Sequence, residues 1–208
     1  MTVVPISHPE AVEVAARALR SGQIVGIPTD TVYGLAVDPF NAAAAGRLFA
    51  AKRRPSDVGI AVLVAGEDQT GSLAPPLPPV ASVLVERFWP GALTLVVPRR
   101  PDVAVHIGAV QATVGLRCPD HAGVLALCQA AGPLATTSAN LHGQPTLTTA
   151  ASVADTFGDS VAVLLDGGTC AGSPSTVVDC TGTQARLLRE GRIPWAEVVL
   201  ALGGGAEH

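Results

Sequence analysis

Apolar and polar positions along this chain follow two rhythms. Short, largely apolar runs at 23–27, 60–65 (IAVLVA), 92–97 (ALTLVV), 113–118 (TVGLRC) and 161–166 (VAVLLD) read as buried strands. STVVDC (175–180) and ARLLRE (185–190) add two more. Between them lie stretches of helical spacing. AVEVAARALR (11–20) stops at Gly22, and Ser7 with Glu10 predicts a capping box in front of it. Asn41 is placed to cap AAAAGRLFAAK (42–52). VASVLVERF (80–88) is helical until Trp89-Pro90-Gly91, HAGVLALCQAA (121–131) ends before Gly132-Pro133, and WAEVVLAL (195–202) forms a last short helix. Strands and helices that alternate in this way predict an α/β fold, a sheet covered by helices. One domain over 1–202, followed by a flexible tail at 203–208, accounts for the pattern without an internal repeat.

Composition narrows the class. Of 208 residues, 48% are apolar and 14% charged, which is globular and long enough to bury a sizeable core. A net charge of −4 argues against a general nucleic-acid binder. No apolar run reaches the length needed to cross a bilayer, and MTVVPISHPE does not read as a signal peptide, so a cytoplasmic location is expected. The four cysteines (118, 128, 170 and 180) form no C-x-x-C pair and are expected to be reduced, packed as small apolar groups. His121 and His142 are expected to be solvated loop residues. The common nucleotide and hydrolase signatures are missing: no Walker A loop, no G-x-G-x-x-G after a strand, no G-x-S-x-G and no H-E-x-x-H.

The polar chemistry sits where strands and helices end. IPTDTVYGL (27–35) leaves an apolar strand and at once presents two threonines, a carboxylate and the only tyrosine of the chain. Lys52-Arg53-Arg54 closes the second helix with three positive charges, a place that also suits the helix dipole. Lys52 is the only lysine beside twelve arginines, and a compact ammonium next to planar guanidiniums fits a polyphosphate. Arg117 ends an apolar strand, where it must pair with an acid, Asp120 or Asp179, or meet an anionic ligand. TTSAN (136–140) and SPSTVVD (173–179) add hydroxyl clusters, which a cap or turn would also explain. Several such clusters at strand ends predict one polar crevice.

PTDTVYGL, AKRRPS, WPGALTLVV, TVGLRCPDH, TTSANLHGQPT, STVVD and LLREGRI occur in this order. Together they resemble the YrdC-like (TsaC) family of threonylcarbamoyl-AMP synthases, over about residues 8–195. The resemblance implies a twisted mixed sheet with flanking helices around a large basic cavity. It also implies an activity: threonylcarbamoyl-adenylate and pyrophosphate made from L-threonine, bicarbonate and ATP with Mg2+. The product would pass to a threonylcarbamoyl-transferase complex that modifies tRNA beside the anticodon; a stable tRNA complex is not expected. By the same resemblance Thr31, Arg117, Ser138 and Ser175 would bind threonine. Lys52, Arg54 and Arg189 would hold the ATP phosphates, with Thr113, Asn140 and Thr148 on the nucleotide side. Lys52 and Arg54 are thereby the expected catalytic pair, and no metal ligand is expected from the protein. The chain departs from the family pattern in three places: Arg53 stands where glycine is usual, Val58-Gly59-Ile60 replaces a more polar stretch, and Leu63 replaces a histidine of some members. The alternatives are a related carbamoyl-adenylate enzyme with another acceptor, or a non-enzymatic RNA-binding module. The shortage of aromatic stacking residues weighs against the latter.

Overall fold

The computed structural model describes residues 1–108 and 112–203, and the backbone of 206–207. Of the predicted 203–208 tail, positions 204, 205 and 208 lie outside these residues. Among the described residues eleven strands form one mixed sheet: β1 (Thr2–Pro5), β2 (Ile24–Ile27), β3 (Gly34–Val37), β4 (Ala61–Leu63), β5 (Leu93–Pro98) and β6 (Thr113–Arg117), then β7 (Leu134–Ser138), β8 (Val161–Asp166), β9 (Thr176–Asp179), β10 (Ala185–Arg189) and β11 (Ala206–Glu207). Their order across the sheet is β1-β8-β2-β3-β7-β4-β6-β5-β9-β10-β11. Six α-helices among the described residues flank it: α1 (Ala11–Arg20), α2 (Ala42–Ala51), α3 (Pro79–Phe88), α4 (Ala122–Ala131), α5 (Ala150–Phe157) and α6 (Trp195–Ala201). The predicted α/β class and the twisted mixed sheet with flanking helices are both observed.

Alternation along the central strands explains why both faces are covered. In β3, Leu35 and Val37 join one core cluster while Ala36 joins the other; in β8, Leu164 faces opposite to Val163 and Leu165. The smaller cluster holds α1 and α4, and the alanines at 11, 15, 16 and 18 let α1 settle closely. The larger cluster takes up α2, α3, α5 and α6. Each fully buried leucine here, such as Leu35, Leu95 or Leu116, contributes roughly 1.5–3 kcal/mol relative to exposure.

The elements not anticipated include β1, β3 and α5. β1 lies at the sheet edge and is mostly exposed, so its apolar pattern is too short to register. β3 follows the PTDTVY turn at once, and its pairing with β2 and β7 supplies what its four residues do not. α5 sits in a Thr- and Ala-rich stretch and is fixed by Thr149, whose hydroxyl accepts the Ser152 N–H at 3.3 Å. The predicted capping box does not form. Glu10 itself occupies the cap position without a side-chain bond, and its N–H donates to His8 Nδ1 at 3.2 Å. Asn41 caps α2 as expected, accepting from the Ala44 N–H at 3.0 Å. No helix among the described residues is long and apolar enough to cross a membrane.

Candidate functional site

The strand ends converge on a cavity of about 600 Å3. That is the size range of small-ligand sites. Thr29 and Thr31 reach it from the turn between β2 and β3, Arg54 from the end of α2, and Thr113 and Arg117 from the two ends of β6. Ser138 enters at the end of β7, Ser175 just before β9, and Arg189 at the end of β10. Three guanidiniums therefore line the wall, and no carboxylate does among the described lining residues.

Arg117 is buried, and its acid partner is neither Asp120 nor Asp179 but Asp30, at 2.6 Å. Asp179 instead pairs with Arg186 at 3.0 Å. The difference is tertiary: β6 runs beside β4 in the sheet, and its end meets the turn before β3, 87 residues away in sequence. Arg117 Nη1 also donates to Thr31 Oγ1 at 2.9 Å, and Nε donates to the Gly91 carbonyl at 3.0 Å. A guanidinium has five N–H groups, so one on each terminal nitrogen stays uncommitted among the described residues. Burial pulls Arg117 below the usual arginine pKa, while Asp30 opposes that shift.

The opening turn is held by its own hydroxyls. Thr29 Oγ1 lies 2.9 Å from Thr31 Oγ1, donates to the Val32 carbonyl at 2.6 Å, and accepts the Thr31 and Val32 N–H groups. Tyr33, the lone tyrosine, also lines the cavity. Its phenol donates to the Gly168 carbonyl at 2.9 Å, and burial pushes its pKa up to about 12. It thus ties this turn to the end of β8.

On the far wall, Ser175 Oγ lies 2.9 Å from Thr94 Oγ1, and Arg189 Nη2 donates to the Ser175 carbonyl at 2.8 Å. Gly191 makes this approach possible: a Cβ there would collide with the Pro174 carbonyl and the Ser175 backbone. Thr176 Oγ1 accepts the Gly191 N–H at 2.9 Å and keeps the loop closed. Thr94 is a contributor missed in the sequence. Its signal was a single hydroxyl inside an otherwise apolar strand, buried to 5% exposure.

The three consecutive cations after α2 go three ways. Arg54 N–H donates to the Phe49 carbonyl and Arg53 N–H to the Ala50 carbonyl, the paired bonds of a Schellman end. This places Arg53 at φ +51, a left-handed position that favours glycine, and sends its side chain to solvent. Arg54 then turns to the cavity, where its guanidinium holds the Val58 and Gly59 carbonyls at 3.1 and 2.8 Å. Lys52, only 1% exposed, is turned inward behind the wall. Arg53→Gly is expected to stabilise the protein by about 1 kcal/mol, read as a higher denaturation midpoint with unchanged slope.

Lys52, Asn140 and Thr148, all expected at the nucleotide, are not among the cavity-lining residues. Asn140 is engaged locally, donating to the Leu141 and Gln144 carbonyls at 3.0 and 2.7 Å. The Thr148 carbonyl accepts the Cys170 N–H at 2.9 Å. Of the positions that depart from the family pattern, Gly59, Ile60 and Leu63 do line the cavity. Leu63 is in register with Arg117, so an apolar wall stands beside the buried guanidinium.

Comparison with known proteins agrees with this architecture. A threonylcarbamoyl-AMP synthase of Bacillus subtilis is 41% identical over 192 residues, 91% of this chain and 56% of that protein. One of Pseudomonas aeruginosa strain UCBPP-PA14 is 37% identical over 153 residues, 74% of this chain and 83% of that one. The chain thus spans just over half the length of the first relative. A crystal structure of P. abyssi Sua5 complexed with L-threonine superposes with a TM-score of 0.87 at 36% identity, covering 95% of this chain and 58% of that one. The family model for Sua5, YciO and YrdC proteins, described as telomere recombination, matches residues 17–191. That span runs from within α1 to the loop that carries Gly191, so it includes every strand end that lines the cavity, and the chain belongs to the Sua5/YciO/YrdC family.

Proposed function

We propose that this chain is a threonylcarbamoyl-AMP synthase. It forms threonylcarbamoyl-adenylate and pyrophosphate from L-threonine, bicarbonate and ATP, for modification of tRNA beside the anticodon. The observation that carries this reading is the cavity itself: three guanidiniums and a ring of hydroxyls, with no lining carboxylate among the described residues. Such a wall suits ligands that each carry an anionic group.

The uncommitted N–H groups of Arg117 receive the threonine carboxylate, a charge-assisted contact favoured by burial. Thr31, Ser138 and Ser175 surround the rest of the amino acid. Arg54 and Arg189 meet the phosphates, and Thr113 contacts the nucleotide. Asn140 and Thr148 act from behind the wall. Bicarbonate takes up a proton and releases water to give CO2, which the threonine amine takes up, losing a proton to give an N-carboxylate. One carboxylate oxygen attacks the α-phosphorus of ATP, and the bond to the β-phosphate oxygen breaks as pyrophosphate leaves. Two anions must approach each other in this step, and the guanidiniums lower that repulsion and stabilise charge on the departing group. No side chain has to act as an essential base. Mg2+ bound through the ATP phosphates would help neutralise them. A cytoplasmic protein that hands its labile product to a threonylcarbamoyl-transferase fits this chemistry.

The test is pyrophosphate release from ATP, Mg2+ and bicarbonate. Release that depends on L-threonine is expected. Equal release without threonine would assign another acceptor, and none under any condition would overturn the enzymatic reading.

A further inference from the structure

Lys52 is the one buried cation that the reaction just described leaves without a task. Its ammonium donates to the Ser138 carbonyl at 2.5 Å, to the Asn140 carbonyl, and to Asn140 Oδ1 at 3.3 Å. An ammonium has three donors, so these acceptors use all of them. The main chain completes the joint, because the His142 N–H donates to the Lys52 carbonyl at 3.0 Å. Asn140 Oδ1 also accepts the Ser138 hydroxyl at 2.6 Å, so the lysine and the serine share one acceptor. The same turn leans on the opening motif: the Ala139 N–H donates to the Tyr33 carbonyl at 2.7 Å. Ser138 lines the cavity while Lys52 does not.

We propose that Lys52 is a positioning residue: it fastens the Ser138–His142 turn to the end of α2 and so orients the Ser138 hydroxyl, without holding phosphate. The chemistry of the joint explains the residue type. Three convergent acceptors around one point match a compact ammonium and not a planar fork. With Lys52 removed, the part-buried Ser138 and Asn140 carbonyls lose the ammonium that joins them, and the Ser138 carbonyl keeps the Asn140 N–H at 3.0 Å. Burial and the neighbouring Arg54 draw the Lys52 pKa down to about 8. At neutral pH it remains charged, with all three donors in use. The assignment of Ser138 to the amino-acid side rests on the synthase reading; the fastening of the turn does not.

Because Lys52 is the only lysine, 15N-lysine labelling yields a single side-chain ammonium signal. Titration of the unmodified protein with inorganic pyrophosphate and Mg2+ is expected to shift backbone signals near Arg54 and leave the Lys52 Nζ signal in place. A pyrophosphate-induced shift of Nζ would overturn the proposal. If pyrophosphate does not bind at all, the synthase reading is what fails, and the turn is then judged by hydrogen exchange alone. In unliganded Lys52→Met, amide exchange at Ala139 and His142 is expected to quicken by at least about tenfold, with exchange across β4 and β6 unchanged. Lys52→Arg keeps the charge and is expected to loosen the same turn. Wild-type exchange rates in both variants would overturn the proposal. Should neither variant fold, the Nζ titration decides the question in the unmodified chain, and acetylation of Lys52 as fast as that of an exposed amine would overturn the proposal.

Discussion

Arg117→Met is expected to destabilise the protein by about 3–5 kcal/mol. The partners are deeply placed: the Arg117 and Asp30 side chains are 8% and 10% exposed. The methionine fills much of the arginine volume, so the loss is mainly electrostatic. It leaves the Asp30 carboxylate buried without its cation, and leaves the Gly91 carbonyl and Thr31 hydroxyl without a donor. For a chain of this size each kcal/mol lowers Tm by about 2–4 °C, so thermal unfolding reads the effect directly. Adding Asp30→Asn to the Met variant is expected to recover part of the loss, since it removes the uncompensated charge. A single variant within about 0.5 kcal/mol of wild type would show that water screens the pair and that the site is not closed around it. In the folded fraction, threonine dependence of pyrophosphate release is expected to vanish with the carboxylate contact.

The second large effect is on rate. Arg54→Met is expected to lower threonine-dependent pyrophosphate release by about 10²–10³-fold, the usual cost of losing one preorganised group that stabilises developing charge. Arg54 lines the cavity and is half-buried, so its charge acts where water screens little. Its bonds to the Val58 and Gly59 carbonyls tie a loop that an incoming phosphate would compete for. Arg53→Gly, one position away, is the matched control: it removes an equal charge that points to solvent, and activity is expected to hold. Equal losses in both variants would mean that net charge, and not the placement of Arg54, governs catalysis.

Much of this could be read without coordinates, and the failures are instructive. The long apolar runs announced β2, β5, β6 and β8 because strands buried on both faces need no polar alternation. Asn41 announced α2 because a cap acts over three residues. Ser7 and Glu10 have the spacing of a capping box, but the chain enters α1 from β1 with His8 supplying the acceptor, and a local pattern cannot foresee that approach. Asp120 and Asp179 were nearer to Arg117 in sequence or type than any argument could rank, yet Asp30 won through sheet order.

By itself the sequence determined the class of elements, the polar character of the strand ends, and the set of residues whose chemistry suits anionic ligands. These follow from local periodicity and residue type, which act over a few positions. Only the tertiary structure decided which of those residues face a common space. Three adjacent cations diverge because a left-handed residue at Arg53 rotates the chain between them, so that Arg54 faces the cavity and Lys52 is buried behind it. Thr94 and Ser175 meet across 81 residues because β5 and β9 pair in parallel. The reason is physical. A side chain's type is fixed by its own atoms, but its partners depend on register and sheet order, which long-range burial sets.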